Sequence, residues 1–247
     1  MKALVVCKNY KEKKEKTACN LIDKKGFKTI RSWKNTLAKK HLSNIDIVIA
    51  IGGDGTILSA SHYLLDKPLL AVNSSPKTSE GALATLPLSQ LSTKLNQILK
   101  KQFKTEKLER IQILINNKPL PILALNEVFI ANSKAYLISK YKIKFKNNEE
   151  MQKSSGTIIS TGTGSTAWFK SAGGLPFSPK AEFIKMIVRE PYFGSLNRPS
   201  MLKETIQKDQ SITIIPLVPS ILTIDSIREY PLKRNDKITI KVSSHPL

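Results

Sequence analysis

Ile45-Asp46-Ile47-Val48-Ile49-Ala50-Ile51-Gly52-Gly53-Asp54-Gly55-Thr56 is the stretch on which the fold turns. Its first seven residues form a short apolar run rich in β-branched side chains, the mark of a strand buried on both faces. Beyond Thr56, the residues Ile57, Leu58, Tyr63, Leu64 and Leu65 recur at helical spacing. The stretch is therefore a strand, a glycine turn and a helix. Gly52, Gly53 and Gly55 lack Cβ atoms, so the backbone can take positive φ and come close to a ligand. The helix N-terminus offers unbonded N–H groups and the positive end of its dipole, where a phosphate is stabilised. Asp54 would repel such a phosphate unless a metal ion or a substrate hydroxyl stood between. The other reading makes Asp54 the N-cap of the helix. The lysine and spacing of a Walker A loop are missing.

Working outward, Ala3 to Cys7 reads as a strand. Residues 11–25 read as a surface helix with a stripe of Ala18, Leu21 and Ile22, closed by Gly26. Phe27 to Ile30 reads as a strand, and 35–43 as a helix with Leu37 and Leu42 inward. Pro68 to Val72 is a further strand. Residues 73–87 are a polar, turn-rich loop, long enough to suggest a function. Residues 88–102 have the pattern of an amphipathic helix. Strands alternating with helices predict a parallel α/β sheet, whose ligands bind beyond the carboxyl ends of the strands. From Thr105 the segments become strand-like: 108–115, 121–130, 135–145 and 156–160, then 211–215, 221–225 and 237–243. The expectation is an α/β domain over 1–103, carrying the glycine turn, and a β-rich domain over 104–247. That boundary leaves the last strand free to return to the first domain.

The 247 residues are 40% hydrophobic and 24% charged, ordinary for a globular chain. The net charge of +21 would attract polyanions. Its lysines, however, are spread along the chain, and there is no RRM-type aromatic signature or zinc-finger spacing. The charge therefore reads as a solvated surface, and nucleic acid is not expected as a partner. Cys7 and Cys19 form no CxxC pair, and Cys7 reads as a small core residue. His41, His62 and His245 are scattered, so no side chain is assigned to a metal. No apolar run approaches the ~20 residues of a membrane span, and no signal-peptide core stands at the start. Glu12 and Glu15 argue against a mitochondrial presequence, leaving a cytoplasmic location as the expectation.

Two more clusters carry chemistry. Leu125-Asn126-Glu127-Val128 lies within the apolar run expected as a strand, where consecutive residues point to opposite faces. An amide there can read a base or ribose edge, and a carboxylate can accept from a hydroxyl or amino group. The plain alternative is an edge pair facing water. The second cluster runs from Lys153-Ser154-Ser155-Gly156 through Thr161-Gly162-Thr163-Gly164-Ser165-Thr166-Ala167-Trp168 to Ser171-Ala172-Gly173-Gly174. A strand at 157–160 enters a Gly/Ser/Thr turn and a short helix. Hydroxyls and small residues converge there, chemistry suited to ribose and phosphate. Trp168 either packs against a base or fills core.

Gly52-Gly53-Asp54-Gly55-Thr56, Asn126-Glu127 and the Thr161 to Trp168 cluster, in this order and separation, resemble the motif set of NAD kinases over roughly residues 45–243. The mitochondrial-type branch is the nearest likeness, with counterparts of Ser79-Glu80-Gly81, Lys153 to Gly156 and Arg189-Glu190-Pro191. The resemblance implies an α/β domain followed by a β-rich, NAD-binding one, and a homodimer or homotetramer. It implies phosphorylation of the adenosine-ribose 2′-hydroxyl of NAD, with Mg²⁺ and either ATP or polyphosphate as donor. Asp54 would accept the hydroxyl proton, and Gly52, Gly53, Gly55 and Thr56 would line the donor phosphates and metal. Asn126 and Glu127 would bind the dinucleotide, and Thr163, Thr166, Ala167 and Ser171 its adenosine half. Lys153, Ser155 and Trp168 complete the candidate set. Ser155 stands where bacterial members carry aspartate, Gly162 where they carry proline, and Ser226 where glycine follows Asp225. Two alternatives share parts of the pattern: a lipid or sphingoid-type kinase with the same GGDGT turn, and a non-catalytic nucleotide- or nucleic-acid-binding protein.

Overall fold

Strands apolar along their whole length must be covered on both faces, whereas strands that alternate need cover on only one. The chain contains both kinds and separates them. The computed structural model describes residues 1–8, 12–74, 76, 81–195 and 198–247. They divide into a unit of Met1–Glu106 with Leu247 and a unit of Lys107–Pro246.

The first unit runs β1 (Lys2–Cys7), α1 (Lys13–Lys24), β2 (Lys28–Trp33), β3 (Ile47–Gly52), α2 (Asp54–Ser61), β4 (Leu69–Asn73), β5 (Leu86–Pro87) and α3 (Leu91–Leu99). The sheet is parallel throughout, in the order β2-β1-β3-β4-β5. Alternate residues of its central strands feed two cores. Val5, Cys7, Ile49 and Ile51 meet Ala18 and Ile22 of α1 and Leu91, Leu95 and Ile98 of α3. Leu4, Val6, Val48 and Ala50 meet Ile57 and Ala60 of α2. Gly26, at φ +89°, ends α1 as expected and donates its N–H to the Asp23 carbonyl at 2.9 Å.

Three local expectations are corrected here. The helix expected over 35–43 is only one 3₁₀ turn, Lys39–Leu42. Ala38 and Ser43 are extended on either side, and the Ala38 N–H is taken by His41 Nδ1 at 3.1 Å. The helix after the glycine turn stops at Ser61, short of Tyr63 to Leu65. The loop over 73–87 ends in β5, parallel to β4; its Ser75, Lys77, Thr78, Ser79 and Glu80 lie outside the described residues.

The second unit holds β6 (Ile111–Ile115), β7 (Lys118–Pro119), β8 (Glu127–Asn132), β9 (Ser139–Phe145), β10 (Asn148–Ser154), β11 (Gly156–Ser160), α4 (Trp168–Ser171), β12 (Ile184–Arg189), β13 (Lys203–Ile206), β14 (Ser211–Pro216), β15 (Ser220–Ile224), β16 (Arg228–Leu232) and β17 (Ile238–Val242). They form two six-stranded sheets, β10-β9-β14-β17-β6-β7 and β13-β12-β11-β8-β15-β16. Their facing residues, among them Ile113, Ile143, Ile214 and Ile240 from the first and Val128, Ile159, Met186 and Leu222 from the second, make one core. On the other face of the second sheet, Phe129, Ile158 and Ile187 pack against Phe169 of α4. The strand expected over 121–130 begins only at Glu127, so Asn126 precedes the strand rather than sitting inside it.

Candidate functional site

In the first unit, the β3-to-α2 turn places the GGDGT residues at the carboxyl end of a central strand. None of its glycines has positive φ, so their reason is close approach rather than handedness. A Cβ on Gly52 would stand 2.3 Å from Thr56 Oγ1, whereas one on Gly55 would meet nothing within 4 Å. Gly52 is thus required for the turn itself, and Gly55 leaves the space beside the turn open. Gly53 is the capping residue of α2 and Asp54 the first helical residue, so Asp54 is not the N-cap. Its carboxylate turns instead to a distant segment. Oδ2 accepts the Ala82 N–H at 3.1 Å, and Oδ1 accepts those of Leu83 and Ala84 at 3.0 Å each. The first N–H groups of α2 come before the helix can supply acceptors for them. The turn therefore offers a helix end for an anion beside a carboxylate fixed by three bonds.

The second unit repeats that device in a buried setting. Asp225, 2% exposed, sits at φ +51° in the three-residue turn between β15 and β16. Its Oδ2 accepts the Leu125 N–H at 2.9 Å, and its Oδ1 accepts those of Asn126 and Glu127 at 2.7 and 3.0 Å. The other side of Asn126 is wrapped by the Thr161 to Ser165 turn. The Asn126 carbonyl accepts the Thr161 N–H at 3.0 Å. A Cβ on Gly164 would stand 2.3 Å from the same carbonyl oxygen, so only glycine passes there. Thr161 Oγ1 donates to the Leu125 carbonyl at 2.6 Å and accepts the Gly164 N–H at 3.1 Å. Every backbone group near Asn126 is thereby held, while its side chain is spare. Asn126 Oδ1, Glu127 Oε2 and Thr163 Oγ1 are buried atoms without a hydrogen-bond partner among the described residues. Orphaned polar atoms are scarce in folded proteins, and three on two adjoining segments, the start of β8 and the turn after β11, call for a ligand.

Charge is concentrated at the same place. Burial, then the nearby Asp225 carboxylate, pushes the Glu127 carboxyl up to about 7, against the Ser226 hydroxyl that donates to its Oε1 at 3.3 Å. Arg110 is fully buried; burial lowers its guanidinium to about 10, against the pull of Asp225. Its Nε and Nη2 donate to the His245 and Pro246 carbonyls at 2.9 and 3.3 Å.

The structure does not gather every expected residue. Within the second unit, Asn126, Glu127 and Thr163 converge, and Thr166, Ala167 and Ser171 follow on exposed positions at the start and end of α4. Lys153 and Ser155 lie at the opposite end of β11 from Thr161, roughly 20 Å away along an extended chain. The Ser155 N–H there donates to the Arg189 carbonyl at 3.0 Å, and a Ser155 side-chain hydrogen bond lowers the neighbouring Glu190 carboxyl. Trp168 is committed to packing: its ring centroid is 4.6 Å from that of Phe129, with the Arg189 guanidinium 5.4 Å away. Residues missed as contributors are Asp225, Arg110 and the Ala82 to Ala84 backbone. Only Asp225 carried a signal, as a turn residue between two alternating runs.

Comparison with known proteins bears on both units. The family model described as ATP-NAD kinase N-terminal domain matches residues 3–103, and that described as ATP-NAD kinase C-terminal domain matches 125–247. An NAD kinase of Clostridium botulinum is 32% identical over 94% of this chain and 81% of its own. The human mitochondrial NAD kinase 2 is 31% identical over 74% of this chain and 51% of its own. The fold matches the crystal structure of an Archaeoglobus fulgidus NAD kinase in complex with ATP, with a TM-score of 0.82, 24% identity, and coverage of 100% of this chain and 92% of that one.

Proposed function

The chain belongs to the NAD kinase family, and we propose that it transfers a phosphoryl group from ATP to the 2′-hydroxyl of the adenosine ribose of NAD, releasing NADP. The observation that carries the site assignment is the trio of orphaned buried atoms, Asn126 Oδ1, Glu127 Oε2 and Thr163 Oγ1. They supply the acceptors that an adenosine, with its amino group and ribose hydroxyls, would satisfy. Thr166, Ala167 and Ser171 extend that surface, and Gly52, Gly53, Gly55 and Thr56 receive the donor phosphates.

Asp54 is the group we assign to the reacting hydroxyl. A carboxylate has about four lone-pair positions, and three accept the N–H groups of Ala82, Leu83 and Ala84. One remains for the ribose hydroxyl, in a position the other three fix. In a loose phosphoryl-transfer transition state the attacking oxygen needs little base strength. Asp54 therefore orients the hydroxyl and takes its proton late, and positioning supplies most of the acceleration. Among the described residues no three His, Cys, Asp or Glu side chains are grouped to hold a metal. We take Mg²⁺ as part of the substrate, carried on the ATP phosphates with its own waters.

The finer placement beside the mitochondrial-type branch rests on the motifs around Ser79 to Gly81 and Lys153 to Gly156, since the clostridial relative is as similar as the human one. Homo-oligomerisation belongs to the same reading: Lys153 and Ser155 are far along β11 from Asn126 and would serve a nucleotide held by a second copy. No helix among the described residues is long and apolar enough to cross a membrane.

The test is direct. The purified chain, given NAD, ATP and Mg²⁺, is expected to form NADP, detected with an NADP-specific dehydrogenase. Absence of NADP with ATP and with polyphosphate alike would overturn the reading.

A further inference from the structure

The phosphotransfer reading leaves both cysteines unused. They are the only two in the chain. One ends β1 and the other lies in α1, twelve positions on, yet their Sγ atoms are 3.7 Å apart. Both are buried, at 0% and 1% exposure. Two sulfurs in van der Waals contact need no unfolding to meet. Cys19 also lines a cavity of about 380 Å³ together with Lys16, Asn20 and Arg31. That cavity brings a small neutral oxidant beside Cys19, and Arg31 favours the thiolate there.

We propose that Cys7 and Cys19 form a peroxide-oxidisable dithiol, with Cys19 attacked through the cavity and Cys7 as the resolving thiol. The Cys19 thiolate attacks one peroxide oxygen, the O–O bond breaks, and the departing hydroxide takes a proton to become water. Cys19 is then a sulfenic acid. The Cys7 sulfur attacks it, the S–O bond breaks, and a second water leaves as the disulfide forms. Two electrons pass from the thiol pair to the peroxide, and an external dithiol reverses the change by exchange. The electrostatics agree with the order of attack: the hydrogen bond from Cys7 holds the Cys19 thiol below its ordinary range, with Arg31 assisting, against burial and the Asp23 and Glu15 carboxylates. The pair sits beside the glycine turn, because Cys7 is in register with Ile51, the residue before Gly52.

The experiment reads mass rather than turnover, so its outcome is separate from the phosphotransfer reading. The full chain is treated with a small excess of hydrogen peroxide, unfolded in denaturant with an alkylating agent, and weighed intact. The wild type is expected to lose two hydrogens, resist alkylation, remain a single chain without reductant, and recover both thiols in dithiothreitol. Cys7→Ala should instead gain one oxygen, trapped by dimedone at Cys19, while Cys19→Ala should stay unmodified. Two alkylatable thiols in the treated wild type would overturn the proposal, as would a disulfide joining two chains. The wild-type result decides the matter even where a variant fails to fold.

Discussion

Asp54 and Asp225 perform one task in two settings. Each carboxylate accepts three consecutive backbone N–H groups from a remote segment, 28 to 30 residues away for Asp54 and 98 to 100 for Asp225. Asp54 is half-buried at the mouth of a turn, whereas Asp225 is 2% exposed, with Glu127 and Arg110 about it. A carboxylate with three N–H partners is a clamp in either place. Exposure decides what else it can do. Asp54 keeps one acceptor position at a half-buried carboxylate, whereas Asp225 spends its charge on folding and on raising the proton affinity of Glu127.

Removing the buried clamp should cost most. Asp225→Ala leaves three N–H groups without their acceptor and a buried guanidinium without the opposite charge beside it, a loss of about 3–5 kcal/mol in unfolding free energy. Urea denaturation measures it; a loss under about 1 kcal/mol would mean that water replaces the carboxylate and that the two clamps are not comparable. The exposed clamp should fail in the opposite manner. Asp54→Asn retains one carbonyl acceptor and turns an NH₂ toward a segment of donors. Stability should fall by only about 1–2 kcal/mol, while kcat should fall about 10²–10³-fold. Steady-state kinetics beside thermal melts separates the two. Near-full turnover in the asparagine variant would reduce Asp54 to structure alone.

The pH dependence of stability tests the electrostatic half of the comparison. The Glu127 carboxyl titrates near 7 in the folded chain, against ~4.3 when unfolded. Between those values the folded chain holds a proton that the unfolded chain releases. The stability this group contributes is full below pH ~4.3 and is lost as pH rises toward 7, with no further change above. The loss should be on the order of 3–4 kcal/mol, read as the difference between wild type and Glu127→Gln, whose neutral amide cannot titrate. Parallel curves for the two proteins would show that Glu127 titrates alike in the folded and unfolded chains.

These devices were legible to different degrees in the sequence. The glycine turn and the two central strands could be read because fully apolar β-branched runs have few other fates. The second unit was legible in outline only. Strands β10, β13 and β16 lie at sheet edges, and Asn148 to Ser154, Lys203 to Ile206 and Arg228 to Leu232 carry few of the alternating apolar residues that periodicity detects. Strand β12 is apolar and was missed for want of a bounding turn signal. The 35–43 segment has helical spacing, but Asn35 and Thr36 form a turn, His41 caps the start of a single 3₁₀ turn at Ala38, and Ser43 is extended after it. Asn126, Glu127 and the Thr163 cluster could be found as residues with no good reason to be buried. Asp225 could be found only as a turn residue between two alternating runs; its partnership with them could not, since a hydrogen bond across 98 or more residues leaves no local trace.

The smallest effect probes the turn that carries the buried clamp. Asp225 and Ser226 both have positive φ, +51° and +54°, at the two central positions of the turn closed by the Ile227 N–H and Ile224 carbonyl at 2.9 Å. Glycine is the residue such a turn favours at its second position, so Ser226→Gly should relieve about 0.5–1 kcal/mol of backbone strain. It also removes the hydroxyl that donates to Glu127 Oε1 at 3.3 Å. That bond matters only to the charged carboxylate, so the gain should be larger at pH 5 than at pH 8, and the Glu127 midpoint should move further up. Ser226→Ala separates the two contributions: it loses the hydroxyl and keeps the strain, so it should be the least stable of the three proteins at pH 8. An equal gain for the glycine variant at both pH values would mean that the serine acts through its backbone alone, leaving burial and Asp225 to set the Glu127 charge.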